Sequence, residues 1–174
     1  MRLMNFTSID SNWLKEVIRF CKPNGITNFD ISFKNKTTSG CHGYCYWAGC
    51  SYHKTGAPLI TIRIGDEEKF IANAIKRGVK NEFTGEPLTW NHLRFPRMIP
   101  AARKKAGYLP YLALNKEEEI IHVIAHELRH LWQAKVKSGH RVWGARGRFS
   151  ERDADAYGIR KVREWRREHM EELW

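Results

Sequence analysis

Acidic side chains are in short supply in this chain. Against 30 Lys plus Arg, its 174 residues carry 19 Asp plus Glu, for a net charge of +11, and much of the excess lies at 94–105, 137–148 and 160–167. A surface of that sign suits a polyanionic partner, nucleic acid or an acidic protein, and serves solubility equally well. No recognised nucleic-acid-binding motif accompanies it. Long apolar runs are missing too: nothing approaches the ~20 residues of a membrane helix, and Met1 to Ser8 lack the apolar stretch of a signal peptide. A soluble, cytoplasmic protein with no membrane partner is expected. With 4 cysteines and a reducing compartment, disulfides are not expected, and the length suffices for one domain with a conventional core.

What is present is concentrated in one stretch. Ala125-His126-Glu127-Leu128-Arg129-His130 contains an H-E-x-x-H motif, in a run where Ile120, Ile121, Ile124, Leu128, Leu131 and Trp132 recur at helical spacing. Residues four apart on a helix lie one turn above each other, so His126 and His130 share a face and can hold one metal ion. Glu127 is turned by about 100° from His126 and can reach a water on that metal without being a ligand. Asn115 offers an N-cap, with Glu118 three residues on as in a capping box. Glu117, Glu118 and Glu119 suit the positive end of the helix dipole. Ser138-Gly139 supplies a stop.

Catalytic zinc usually takes three protein ligands and leaves a fourth position open. Glu151 is the favoured third ligand. It follows Ser150, read as an N-cap, and begins a new helix; Asp155, four residues on, shares its face and can accept the free ring N–H of a zinc-bound histidine. His140, in the basic Gly-rich loop, is the rival ligand or else a donor to a developing oxyanion. Tyr157, Arg146 and Arg148 are the other oxyanion candidates. His122 joins the His126 and His130 stripe, but it lies ~12 Å from His130 along the axis and reads as an orienting or packing residue.

His126-Glu127-x-x-His130 followed by Glu151-x-x-x-Asp155 resembles the gluzincin branch of the zincin metallopeptidases. That resemblance implies His126, His130 and Glu151 as zinc ligands, Glu127 as general base and Asp155 as the partner that orients a ligand. The upstream segments also look like small SprT-like and phage-type metallopeptidase domains, with a Gly-Cys strand, a short apolar strand and then the motif helix. SprT-like proteins use a third histidine, and the Glu-x-x-x-Asp pattern departs from that. In zincin folds an edge strand borders the cleft and takes the peptide substrate as an added strand.

The remaining pattern gives an α+β, zincin-like fold in a single domain, 1–174, with a small antiparallel sheet packed on the active-site helix and further helices. A helix at 12–21 carries Trp13, Leu14, Val17, Ile18 and Cys21 on one stripe and ends at Pro23-Asn24-Gly25. Phe29, Ile31 and Phe33 alternate as a strand, 41–47 makes a second, and Ile60, Ile62 and Ile64 a third. These occupy 1–65. A helix from Asp66 and a Pro/Gly-punctuated loop over 81–110, with a short helix near Ala101, fill 66–114. The active-site helix takes 115–137 and the third-ligand helix 150–174, with Val162, Trp165 and Leu173 as its buried stripe and Arg160, Lys161, Arg163, Arg166 and Arg167 on a solvated face.

Cys41, Cys45, Cys50 and His53 make C-x3-C-x4-C-x2-H, which offers a structural zinc site; its spacing is not that of paired C-x2-C knuckles, and core cysteines are the competing reading. The function expected is zinc-dependent hydrolysis of peptide bonds in an intracellular protein, with a nucleic-acid-associated protein among the candidate substrates. The alternative is a basic nucleic-acid-binding or regulatory protein whose zinc site is structural or non-catalytic.

Overall fold

Asp10 starts the first helix, its carboxylate accepting the amide of Trp13 at 2.9 Å. This helix, α1 (Ser11–Cys21), buries Leu14, Val17, Ile18 and Cys21 and gives way at Lys22 to extended backbone ahead of Pro23. In the computed structural model, residues 1–37, 41–46, 56–65, 97–98, 112–113, 116–136 and 148–170 are described. The other helices are α2 (Lys116–Val136) and α3 (Arg148–Met170), and the strands are β1 (Arg2–Phe6), β2 (Asp30–Asn35), β3 (His42–Tyr46), β4 (Leu59–Ile64), β5 (Arg97–Met98) and β6 (Leu112–Ala113). None of the described helices is long and apolar enough to cross a membrane.

The fold is α+β, but the antiparallel three-strand sheet expected from the sequence is replaced by a mixed four-strand sheet in the order β1-β2-β4-β3. β1 runs parallel to β2, β2 runs parallel to β4, and only β3 is antiparallel to its neighbour. Two physical causes account for the difference. α1 carries the chain back between β1 and β2, which leaves those strands parallel. β4, with Ile60, Thr61, Ile62 and Ile64 buried, is apolar enough for the middle of a sheet, so it enters between β2 and β3. β3, with a half-exposed Gly43 and an exposed Tyr44, takes an edge.

One face of this sheet meets the helices. Ile31, Phe33, Ile60, Ile62 and Ile64 form a continuous core with Leu14, Val17 and Ile18 of α1 and with Ile120, Ile121, Ile124 and Leu128 of α2. α3 lies against both: Tyr157 Oη donates to the carbonyl of Cys21 at 2.8 Å, and Trp165 meets Phe20 and Trp13 edge to face. Arg166 does not belong to a solvated face. Its guanidinium grips both carboxylate oxygens of buried Glu118 at 2.6 Å and clamps α3 to the first turn of α2. Val162 and Trp165 are buried as the helical stripe requires, whereas Leu173 falls outside the described residues. So do the helix from Asp66, the short helix near Ala101, the Asn115 cap and the Ser138-Gly139 stop. β5 and β6 form a two-strand antiparallel pair, β5 within the segment read as loop.

Candidate metal centre

α2 presents His126 and His130 one turn apart, and α3 packs beside it so that Glu151 reaches both. His126 Nε2 lies 3.0 Å from His130 Nε2, 3.2 Å from one Glu151 oxygen, and the other oxygen lies 3.3 Å from His130 Nε2. Among the described residues, these three are the group of side chains with donor atoms close enough to hold a metal ion. Two ligands at ~2.0–2.1 Å in tetrahedral geometry stand about 3.3 Å apart, so the 3.0–3.3 Å spacings are those of neighbouring ligands, with one Glu151 oxygen facing each histidine.

The surrounding hydrogen bonds decide what this cluster wants. His126 Nδ1 is 3.0 Å from Asp155 Oδ1, a carboxylate oxygen, so Nδ1 carries the proton. His130 Nδ1 is 2.9 Å from Gln133 Oε1. The Gln133 amide nitrogen is committed to the Ser150 carbonyl at 3.0 Å and to Asp153 at 2.8 Å, which turns its oxygen toward His130 and makes His130 Nδ1 a donor as well. Both Nε2 atoms and the Glu151 carboxylate therefore face one another, and a cation among them, a metal ion or the second ring proton of His126, offsets their repulsion at ~3 Å. Burial alone would lower the His126 pKa, yet its hydrogen bonds to Asp155 and Glu151 outweigh that and raise it to about 10. Burial would raise Glu151, but the two histidines hold its carboxyl far below the usual range. The centre is built for positive charge.

Scans of the chain against protein-family models, curated proteins and solved structures found no match.

Glu127 stands beside the cluster without joining it. It is buried, and desolvation raises its pKa, with His126 and His130 pulling the other way. A carboxyl so placed is nearer to the balance at which it can take up and release a proton. Its position depends on Gly43 of β3: a Cβ there would lie 2.2 Å from Glu127 Cγ and 2.5 Å from its Oε1. Any side chain at 43 would push Glu127 away. Gly158 plays the matching part on α3, where a Cβ would come within 2.7 Å of the His122 ring. His122 is buried between the helices, its Nε2 3.9 Å from Asp155 Oδ1.

Sequence reasoning missed Gly43, Gln133 and the tether behind His130. Ser150 is not the cap of α3, which begins at Arg148; it lies buried in the first turn, its hydroxyl donating to Gln133 Oε1 at 2.7 Å. Asp153 receives Arg129 in a two-point pair at 2.7 and 3.0 Å, and Arg129 stacks over Trp132 at 3.8 Å. Burial would raise Asp153, but Arg129 and Gln133 outweigh it and lower its pKa. The signal available was the i, i+3 spacing of His130 and Gln133.

Tyr157 is not available as an oxyanion donor. Six positions beyond Glu151 it points about 240° away around α3, and its hydroxyl is taken by the Cys21 carbonyl. Burial, followed by the nearby Cys21, lifts its pKa to about 12. His140 and Arg146, with the side chain of Arg148, fall outside the described residues, as do Cys50 and His53. Of that second cluster, Cys41 and Cys45 are described. Cys41 is buried with its amide on Glu119 Oε1 at 3.1 Å, and burial pushes the Cys45 thiol well above its ordinary value.

Proposed function

We propose that this protein is a zinc-dependent metallopeptidase of the gluzincin type, acting on peptide bonds of an intracellular protein. The observation that carries the reading is the convergence of His126 Nε2, His130 Nε2 and Glu151 on one point, with buried Glu127 beside it. Two imidazoles and one carboxylate match the donor set of catalytic zinc peptidases and leave a fourth position to solvent. Zinc, when bound there, polarises a water and the substrate carbonyl, bringing the water's pKa toward ~7.

This chain's residues account for the remaining steps. Asp155 and Gln133 fix the histidine rings so that Nε2 of each faces inward. Glu127 takes the proton from the attacking water and hands it to the leaving amine nitrogen as the C–N bond breaks, its raised pKa suiting both transfers. Among the described strands, β3 is the edge strand nearest Glu127, the side along which an extended peptide would lie to meet the base. Gly43 lets that strand approach the base closely.

The test is cleavage of an unstructured protein such as casein, with zinc, by wild type and Glu127→Gln. Loss of cleavage with zinc still bound supports the proposal; an undiminished rate contradicts it. A basic binding protein with a non-catalytic zinc site is the second reading, favoured by the net charge of +11. A closed structural site needs a fourth protein ligand, for which His140 is the sequence's candidate. Retention of zinc in His140→Ala speaks for the open, catalytic site.

A further inference from the structure

One end of the sheet face turned away from the helices carries exposed side chains that neither the core nor the metal centre explains, while Ser32 and Thr61 farther along the same face are buried. Register sets its residues side by side: Phe6, Lys34, Arg63 and His42 form one row across all four strands, and Tyr44 lies two residues along β3 from His42. Paired residues point to the same side of a sheet, and their neighbours Phe33 and Ile62 fill the core on the other side. Phe6 is 64% exposed and Tyr44 50%, the latter stacked on Tyr46 with ring centres 6.4 Å apart. Lys34, Arg63 and His42 are exposed between them. Asp30 is the carboxylate on this face among the described residues, and it is buried, accepting the Arg2 amide at 3.2 Å.

We infer that this exposed row binds single-stranded nucleic acid. Phe6 and Tyr44 give unstacked bases rings to lie on, and Lys34 and Arg63 meet the phosphates. Four strands at ~4.8 Å spacing carry the row over ~14 Å, with Lys34 and Arg63 placed to engage two neighbouring phosphates. A duplex hides the faces of its bases and cannot use the rings in this way. An acidic polypeptide would use the cations and leave Tyr44 and Phe6 idle. The inference stands apart from the peptidase reading, since it concerns the opposite face of the sheet from Glu127.

The experiment is fluorescence anisotropy of a short labelled oligothymidylate with the full chain, titrated at several salt concentrations. Tyr44→Ala should weaken binding about 10-fold. Lys34→Glu with Arg63→Glu should flatten the salt slope by about 1.4, at ~0.7 for each lost phosphate contact. Arg163→Glu with Arg167→Glu, an equal change of charge at exposed positions of α3, should bind far more nearly like wild type. Circular dichroism of each variant verifies that it is folded. Absence of binding by wild type would overturn the inference, as would equal losses in the two charge-reversed pairs with none in Tyr44→Ala. Competition by polyglutamate as effective as that by unlabelled oligothymidylate would also overturn it, assigning the face to an acidic protein.

Discussion

Gly43 and Glu127 show how far a single atom reaches at this site. With the Glu127 carbons already against the Gly43 backbone, Gly43→Ala must displace a buried carboxylate from its place beside the histidines. Overpacking of this kind costs about 1–3 kcal/mol, and the expected result is a lowered urea midpoint and a lost cleavage rate with zinc content unchanged. Glu127→Gln should reduce cleavage by at least ~100-fold while keeping both zinc and the urea midpoint. The pair of variants thus separates position from chemistry. His126 supplies a prediction in pH. The folded, metal-free protein holds its proton more tightly than the unfolded chain, with a pKa of about 10 against an ordinary 6.5. That contribution to stability is complete below pH 6.5 and is lost as the pH climbs through about 10. Zinc must displace the same proton, so zinc affinity rises with pH over this window. Thermal melts of chelator-treated protein and zinc titrations across the window check the two signs; a zinc affinity that falls as pH rises would contradict the assignment.

At the scale of elements, α2 and α3 form the site together, and two ion pairs set how they meet. Glu118→Ala removes the two-point pair with Arg166 from a largely buried clamp, and a loss of about 2 kcal/mol is expected by urea unfolding, with Arg166→Ala adding little on top. Gln133→Ala frees the His130 ring and should weaken zinc affinity roughly 10–100-fold, read by competition with a chromophoric chelator. Much of this was legible in the sequence. The i, i+4 pairing of His126 with His130 and of Glu151 with Asp155 is helical arithmetic, and the apolar periods of α1, β2, β4 and α2 announced themselves. Strand order was not legible, because it depends on which of several apolar strands is buried on both sides, a property of the assembled layers. β1 escaped because five residues with one exposed Phe carry little alternation. A serine before Glu-Arg-Asp has the same local signature whether the helix starts there or two residues earlier, so sequence alone does not separate a capping Ser150 from one inside the first turn.

Over the whole molecule, the sheet separates two surfaces of opposite chemistry. On the helix side, carboxylates and imidazoles gather around a point that attracts a cation; on the outer side, lysine, arginine and aromatic rings suit an anionic strand. Residue types alone showed the first, while the second needed the register that places Phe6, Lys34, Arg63 and His42 in one row. The proposed peptidase activity depends on His126, His130 and Glu151 holding zinc together. Elemental analysis of purified wild type and Glu151→Ala tests it most directly. One zinc per chain in wild type, absent from Glu151→Ala while the fold is retained, is the predicted result. A wild type that stays free of metal after incubation with zinc, or a Glu151→Ala variant that keeps its full zinc content, would contradict it.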